Sequence, residues 1–304
     1  MAAQTTDKDK TVKSENIFGQ PLTIFGVPVD RETIFNNHKG DYKPKVEKRQ
    51  RNLIVKSTSI KFYLHDGETI QCLTSTYSPI SILEQALTGP SFLLFKKALL
   101  IFTNKRILHI PTRFKRSPRG SASQILFEDC ARLEVKGRGL HVQYKNGQQE
   151  TFPYIHRKEK KKIRTLLTQL SLSPKDAGRL KGRVYLCPRC TTILTQPNQP
   201  CTSCQLRFKT PVQAELSATA IPGGAYFYTR YPIMGTLTAL LELSLAVFIL
   251  MQWLMFQKGQ DIVIWHSTLA LTALMSIKAL SAYHCAQLVK DFIPRRKNFT
   301  KEKE

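Results

Sequence analysis

The chain has 304 residues, 42% of them hydrophobic, and a formal net charge of +24. That is enough apolar material for a packed core and room for two or more domains, which excludes a wholly disordered chain. The charge excludes an acidic surface and favours anionic partners, either nucleic acid phosphates or acidic lipid head groups.

The excess is +11 over residues 61–170 and +6 over 171–231, but only +3 from 232 onward, so it lies ahead of the most apolar part of the chain. Residues 1–16 are polar and contain no apolar run, which argues against a cleavable secretory signal. IFG occurs at 17–19 and 24–26, too little for a repeat architecture, and HKGDYKPKVEKRQR (38–51) reads as a charged linker. Residues 1–52 are therefore expected to be a flexible segment and linker.

From residue 53 the chain alternates short β-rich runs with turn signals. The expected strands are SIKFYL (59–64), TIQCLTS (69–75), ALLIFT (98–103), RILHIP (106–111), QILFED (124–129), ARLEVKG (131–137), LHVQYK (140–145) and QETFPY (149–154). Asn146 and Gly147 tolerate the positive φ of a primed hairpin turn. SILEQALT (81–88) reads as a short helix. HRKEKKKIRTLLTQL carries Ile163, Leu166, Leu167 and Leu170 at helical spacing, an amphipathic helix closing a β domain.

KKALLIFTNKRILHIP, residues 96–111, resembles the strand, Thr-Asn turn and Arg-containing strand of bacterial PH-like and GRAM-type domains. The resemblance covers roughly residues 55–171 and implies a β-barrel with a C-terminal capping helix and a binding role without catalysis. It also suggests that the basic connection TRFKRSPRG, with Arg113, Lys115, Arg116 and Arg119, meets phosphorylated lipid head groups. A plainly solvated loop is the simpler alternative. Lys158, Lys160, Lys161 and Lys162 form a second basic cluster, consistent with the outer face of the closing helix.

After a basic linker (172–184), CPRCTTILTQPNQPCTSC spaces Cys187, Cys190, Cys201 and Cys204 as two CxxC knuckles ten residues apart. Two knuckles turned on one ion complete a tetrahedral four-sulfur site, the pattern of a structural Zn²⁺. Four protein ligands close the coordination sphere, so the metal serves to fold a segment too short to bury its own core. The segment 185–210 resembles a zinc ribbon, a fold too widely used to imply an activity. Arg189, Arg207 and Lys209 would offer charge to a docking partner, and a redox role for the CxxC pairs is the less economical alternative.

Residues 211–231, with Pro and Gly, read as a further linker. Two apolar runs follow, Ile233–Phe256 and Ile262–Val289, separated only by QKGQD. Each is long enough to cross ~30 Å of hydrocarbon as a helix, so 232–289 reads as a transmembrane hairpin followed by a basic tail, 290–304. Arg230 before the first run and Arg295, Arg296 and Lys297 after the second, against Lys258 alone in the turn, put both termini in the cytoplasm. That places the cysteines in a reducing compartment. Tyr231, Trp253 and Trp265 stand towards span ends, where amphipathic rings belong, as do His266 and His284. Glu242 and Lys278 each lie roughly 14–15 Å from the cytoplasmic edge, and are expected to pair across the hairpin.

No P-loop, GxSxG, HExxH or GxGxxG is present, and His65, His109, His141 and His156 lack metal-ligand spacing. The fold class expected is therefore a multidomain α+β membrane protein: a PH-like β-barrel with a C-terminal helix over 53–171, a small zinc ribbon and a two-helix transmembrane hairpin. The function expected is non-enzymatic binding or scaffolding at a bacterial inner (plasma) membrane. Its partners would be membrane lipids and a membrane protein or a second copy. The alternatives are a membrane-tethered nucleic-acid-binding protein, and an auxiliary subunit of a transporter or enzyme.

Overall fold

The structure is a computed structural model that describes residues 22–80, 84, 90–113, 118–170, 182–196, 199–258 and 264–295. The expected helix over 81–88 falls almost wholly outside them. The chain is mixed α+β, with a large open sheet, a smaller sheet, a four-cysteine cluster and two long apolar helices.

Residues 22–55, expected within a linker, are built into the β region. Leu22–Ile24 (β1) and Val27–Val29 (β2) form a hairpin through Phe25 and Gly26, both at positive φ, and β2 runs parallel to Ile70–Tyr77 (β3). Arg31–Phe35 (α1) starts at Asp30, whose carboxylate accepts from the Thr33 N–H. Pro44–Val55 (α2) buries Leu53 and Ile54, and its Gln50 side chain pairs with both backbone polar groups of Leu73 at 3.0 Å. SIKFYL is not a strand. Thr58–Tyr63 winds as a 3-10 helix, because burying Ile60 and Tyr63 three residues apart suits its three-residue turn.

Strand β3, Lys97–Thr103 (β4), Arg106–Pro111 (β5) and Ala122–Leu126 (β6) form an antiparallel meander. Cys130–Lys136 (β7), Gly139–Tyr144 (β8) and Gln149–Phe152 (β9) form a second one, reached through the 3-10 turn Phe127–Asp129. Leu100, Phe102, Ile107 and Ile125 of the first sheet share a core with Val135, Leu140, Val142 and Phe152 of the second, and Ile163 of Arg157–Gln169 (α3) closes it. Among the described residues neither sheet closes, so the expected barrel is not confirmed; the two open sheets pack on one another, and the edge of β6 pairs with Val184–Leu186 (β10).

The Thr-Asn turn between β4 and β5 holds the 65–68 loop. Asn104 accepts from the Thr69 N–H at 3.0 Å and donates to the Gly67 carbonyl at 3.1 Å, while Lys105 donates to the Asp66 carbonyl at 2.9 Å. Arg106 is buried and forks onto Glu68, with Nε to Oε1 at 3.0 Å and Nη2 to Oε2 at 2.8 Å. The Thr103 hydroxyl donates to the same carboxylate at 2.7 Å.

Residues 211–231, expected to be a linker, hold two short helices, Pro211–Ala220 (α4) and Gly224–Tyr228 (α5). Helix α5 lies against both Pro232–Gln257 (α6) and Ile264–Val289 (α7), and α4 packs on α7; they share a cluster in which Ala214, Ala218, Ala225 and Tyr226 meet Cys285, Leu288 and Val289. Phe95, from the segment leading into β4, enters the same cluster and joins the sheets to it. Helices α6 and α7 pack on one another and are long and apolar enough to cross a membrane, with most of their side chains facing outward.

Candidate metal centre

The two CxxC segments fold as near copies. The Thr191 N–H donates to the Cys187 carbonyl at 2.9 Å, and the Gln205 N–H to that of Cys201 at 2.9 Å. Thr191 and Gln205, each directly after its second cysteine, both take positive φ, 61° and 58°. The return bonds match as well, from the Cys187 N–H to Thr192 O at 2.9 Å and from the Cys201 N–H to Leu206 O at 3.0 Å. Each turn thus aims its two thiols at one point.

All four sulfurs lie within 4.8 Å of one another, with Cys187 and Cys204 at 3.5 Å and Cys190 and Cys201 at 3.4 Å. A tetrahedron with metal–sulfur bonds of about 2.3 Å has edges of about 3.8 Å, so the cluster could hold one metal ion with small adjustments. Burial pushes the Cys187 thiol upward, whereas at Cys190 the same effect is outweighed by hydrogen bonding from Thr192, which holds that thiol down at about 6. Leu194, Phe208 and Phe292 cover the cluster.

The unit is held on both sides. Strand β10 pairs with β6 in register Val184 with Gln124 to Leu186 with Ala122, and with Ile193–Leu194 (β11) on its other edge. Beyond the second knuckle, the Lys209 N–H donates to Ile293 O at 2.8 Å and the Arg295 N–H to Arg207 O at 3.0 Å, tying the unit to the chain that leaves α7. The expected linker before the ribbon therefore ends, at residues 184–186, as a strand of the large sheet.

The basic loop is divided. Lys115 and Arg116 lie outside the described residues. Arg119, grouped with them as a head-group contact, instead turns inward: its buried guanidinium donates to the Tyr231 hydroxyl at 2.6 Å, to the Phe95 carbonyl, and to Asp291 at 3.4 Å. Arg113 is half-buried, and its charge adds to those of Lys209 and Arg230. Burial first, then Arg230 and Arg113, push Lys209 down to about 8. Arg230 donates to the carbonyls of Pro294 and Arg295 at 3.0 and 2.9 Å.

Glu242 and Lys278 meet, with Nζ to Oε2 at 2.9 Å and the carboxylate almost fully buried. Their other partners come from the last turn of α4 and the turn that follows it. The Gly223 N–H donates to Glu242 at 3.2 Å, and Lys278 donates to the carbonyls of Ala218 and Ile221 at 2.8 and 3.5 Å. Gly223 is left-handed, and a Cβ there would collide with the Gly235 carbonyl; a Cβ on Gly235 would stand 2.8 Å from the Phe227 ring.

The sequence reading does not foresee the Arg106–Glu68 fork, the Arg119–Asp291 contact or the buried setting of His109. His109 is buried, with Ser78 on Nε2 at 3.0 Å and Ser123 on Nδ1 at 2.9 Å. Burial, reinforced by Arg183, holds its imidazole well below the usual range, so it sits neutral in the core. Only a residue far along the chain completes each of the first two sites, and no local spacing signals that. No family model matches the chain, and neither a curated protein nor a solved structure is significantly similar to it.

Proposed function

We propose that this is a membrane-anchored, non-enzymatic scaffold of a bacterial inner membrane. Its PH-like head and a Zn²⁺ tetrathiolate joint would stand rigidly over a two-pass hairpin with both termini in the cytoplasm. One observation carries the reading: the cysteine unit is hydrogen-bonded to β6 on one side and to the chain leaving α7 on the other. A closed metal site at that point fixes the distance and angle between head and membrane, which is what a scaffold needs and a catalyst does not.

The PH-like assignment is supported by the order of the elements, a four-stranded meander, a three-stranded meander and a closing helix, together with the Thr-Asn motif. Zinc is favoured over other metals by four thiolates in tetrahedral reach. The orientation rests on Arg230 and Arg295 at the open end of the hairpin against Lys258 at its turn. The basic head would then face anionic lipid or the acidic surface of a neighbouring membrane protein.

The test uses the full chain in discs of neutral lipid, offered anionic vesicles, single-stranded RNA or duplex DNA at rising salt. Capture of anionic vesicles with little affinity for nucleic acid supports the scaffold reading. Tight nucleic acid binding with a steep salt slope, and none to vesicles, supports the nucleic-acid alternative instead.

A further inference from the structure

We propose that residues 211–229 form a re-entrant wedge, entering the bilayer from the side of the hairpin's open end, turning at mid-depth and contacting lipid acyl chains. The inference rests on the reading that α6 and α7 cross the membrane. Three sets of observations then converge on the wedge.

The first is depth. Helix α4 has ten residues, a length of about 15 Å at ~1.5 Å per residue. Glu242 lies ten residues into the chain from Pro232, the same ~15 Å along α6, and the hydrogen bond from Gly223 to Glu242 puts the tip of the wedge beside it. The wedge therefore reaches about half of a ~30 Å hydrocarbon layer.

The second is how polar groups are satisfied. Non-helical backbone persists at membrane depth only where its N–H and C=O groups find partners inside the protein. The turn at 221–223 meets that requirement through the ion pair itself: Glu242 takes the Gly223 N–H, and Lys278 serves the carbonyls of Ile221 and Ala218. The hydroxyls of Ser217 and Thr219 bond back to carbonyls of their own helix, at 2.7 Å to Gln213 and 3.0 Å to Leu216, as hydroxyls must where water is absent. Intramembrane charges thus act as caps for the turn.

The third is the outward face. Val212, Leu216, Ile221 and Phe227 are 71%, 66%, 56% and 44% exposed, as Ile233 and Leu237 of α6 are at 71% and 56%. In water these apolar side chains would stand bare; against acyl chains they form the expected surface. Glu215, also exposed, stands about 6 Å along α4, in the outer half of the wedge, from where its side chain extends toward the head groups. Inward, Ala214 and Ala218 let α4 approach α7 closely, the small-residue packing of membrane helices.

The experiment is quenching by lipids brominated at defined acyl positions, on the full chain in liposomes. Trp253 and Trp265 of the parent chain report first on the spans. In a W253F/W265F background, Ile221→Trp and, separately, Phe227→Trp and Val212→Trp then report on the wedge. The expected result is strongest loss of emission from Trp at 221 with bromines near mid-chain, and from Trp at 212 with bromines near the glycerol. Phe227→Trp, on the returning helix, should be lipid-quenched too. If Trp at 221 and 227 is quenched by aqueous acrylamide and not by bromolipid, while Trp253 and Trp265 remain lipid-quenched, the wedge is overturned and the spans stand. If Trp253 and Trp265 are themselves insensitive to bromolipid, the membrane-crossing reading falls and the wedge with it.

Discussion

The two sides of the cysteine unit each bury an ion pair, and the two pairs are built in different ways. On the sheet side, Glu68 receives Arg106, Thr103 and the His65 N–H, so side chains and backbone of one short motif surround the carboxylate. On the helix side, Glu242 and Lys278 come from two different helices and serve the backbone of a third segment. The first pair closes a loop at the end of a sheet; the second allows a chain turn among apolar helices. A buried charge here is explained by the backbone it satisfies rather than by the Coulomb energy of the pair.

Breaking each pair should separate these roles. Arg106→Ala leaves Glu68 buried without its main partner, and is expected to cost about 3–5 kcal/mol in chemical unfolding of the head. An effect below about 1 kcal/mol would mean that the fork is solvated, as surface pairs are. For the second pair, Lys278→Met or Glu242→Gln alone should lower membrane accumulation, on the scale of ~2.5–3.5 kcal/mol for an uncompensated charge at mid-bilayer. The double change removes both charges and should recover part of the loss. Equal loss in single and double variants would argue against pairing.

A smaller effect probes the turn without touching charge. Gly223→Ala forces a Cβ against the Gly235 carbonyl at a left-handed residue, with an expected cost of about 1–3 kcal/mol, read as lower thermal stability in detergent. Ala at Gly147, also left-handed but with open space around it, is the matched control and should cost less.

The smallest expected effect is in the pH dependence of the head. His109 is held neutral below its unfolded value of 6.5, so below pH 6.5 the unfolded chain binds the extra proton and stability falls, by at most ~1.4 kcal/mol per pH unit. His109→Gln should flatten the profile between pH 5 and 6.5. Glu68 acts lower: burial raises it, but its hydrogen bonds hold it below 4.5, so its contribution is present above that pH and is lost as pH falls through the folded value.

What could be read from the sequence follows the range of the signals. The knuckles are local, with spacing and turn chemistry within five residues, and the apolar helices announce themselves by length. The strands of both meanders follow from alternation and turns. Legibility failed where local chemistry pointed the other way. Pro222, Gly223 and Gly224 read as linker, yet the glycines are needed for close approach at the turn and Pro222 lies between the two helices. SIKFYL alternates well enough for a strand, but its buried pair is three residues apart. Arg119 looked like a surface cation because Asp291, its acidic partner, stands 172 residues away.

The joint itself is tested most directly by metal analysis of the purified full chain alongside Cys201→Ser. The account predicts stoichiometric zinc in the parent, strongly reduced zinc in the variant, and a proteolytically loosened connection between head and hairpin once the metal is removed. Absence of stoichiometric metal from freshly prepared protein, or recovery of the four cysteines as disulfides, would contradict it.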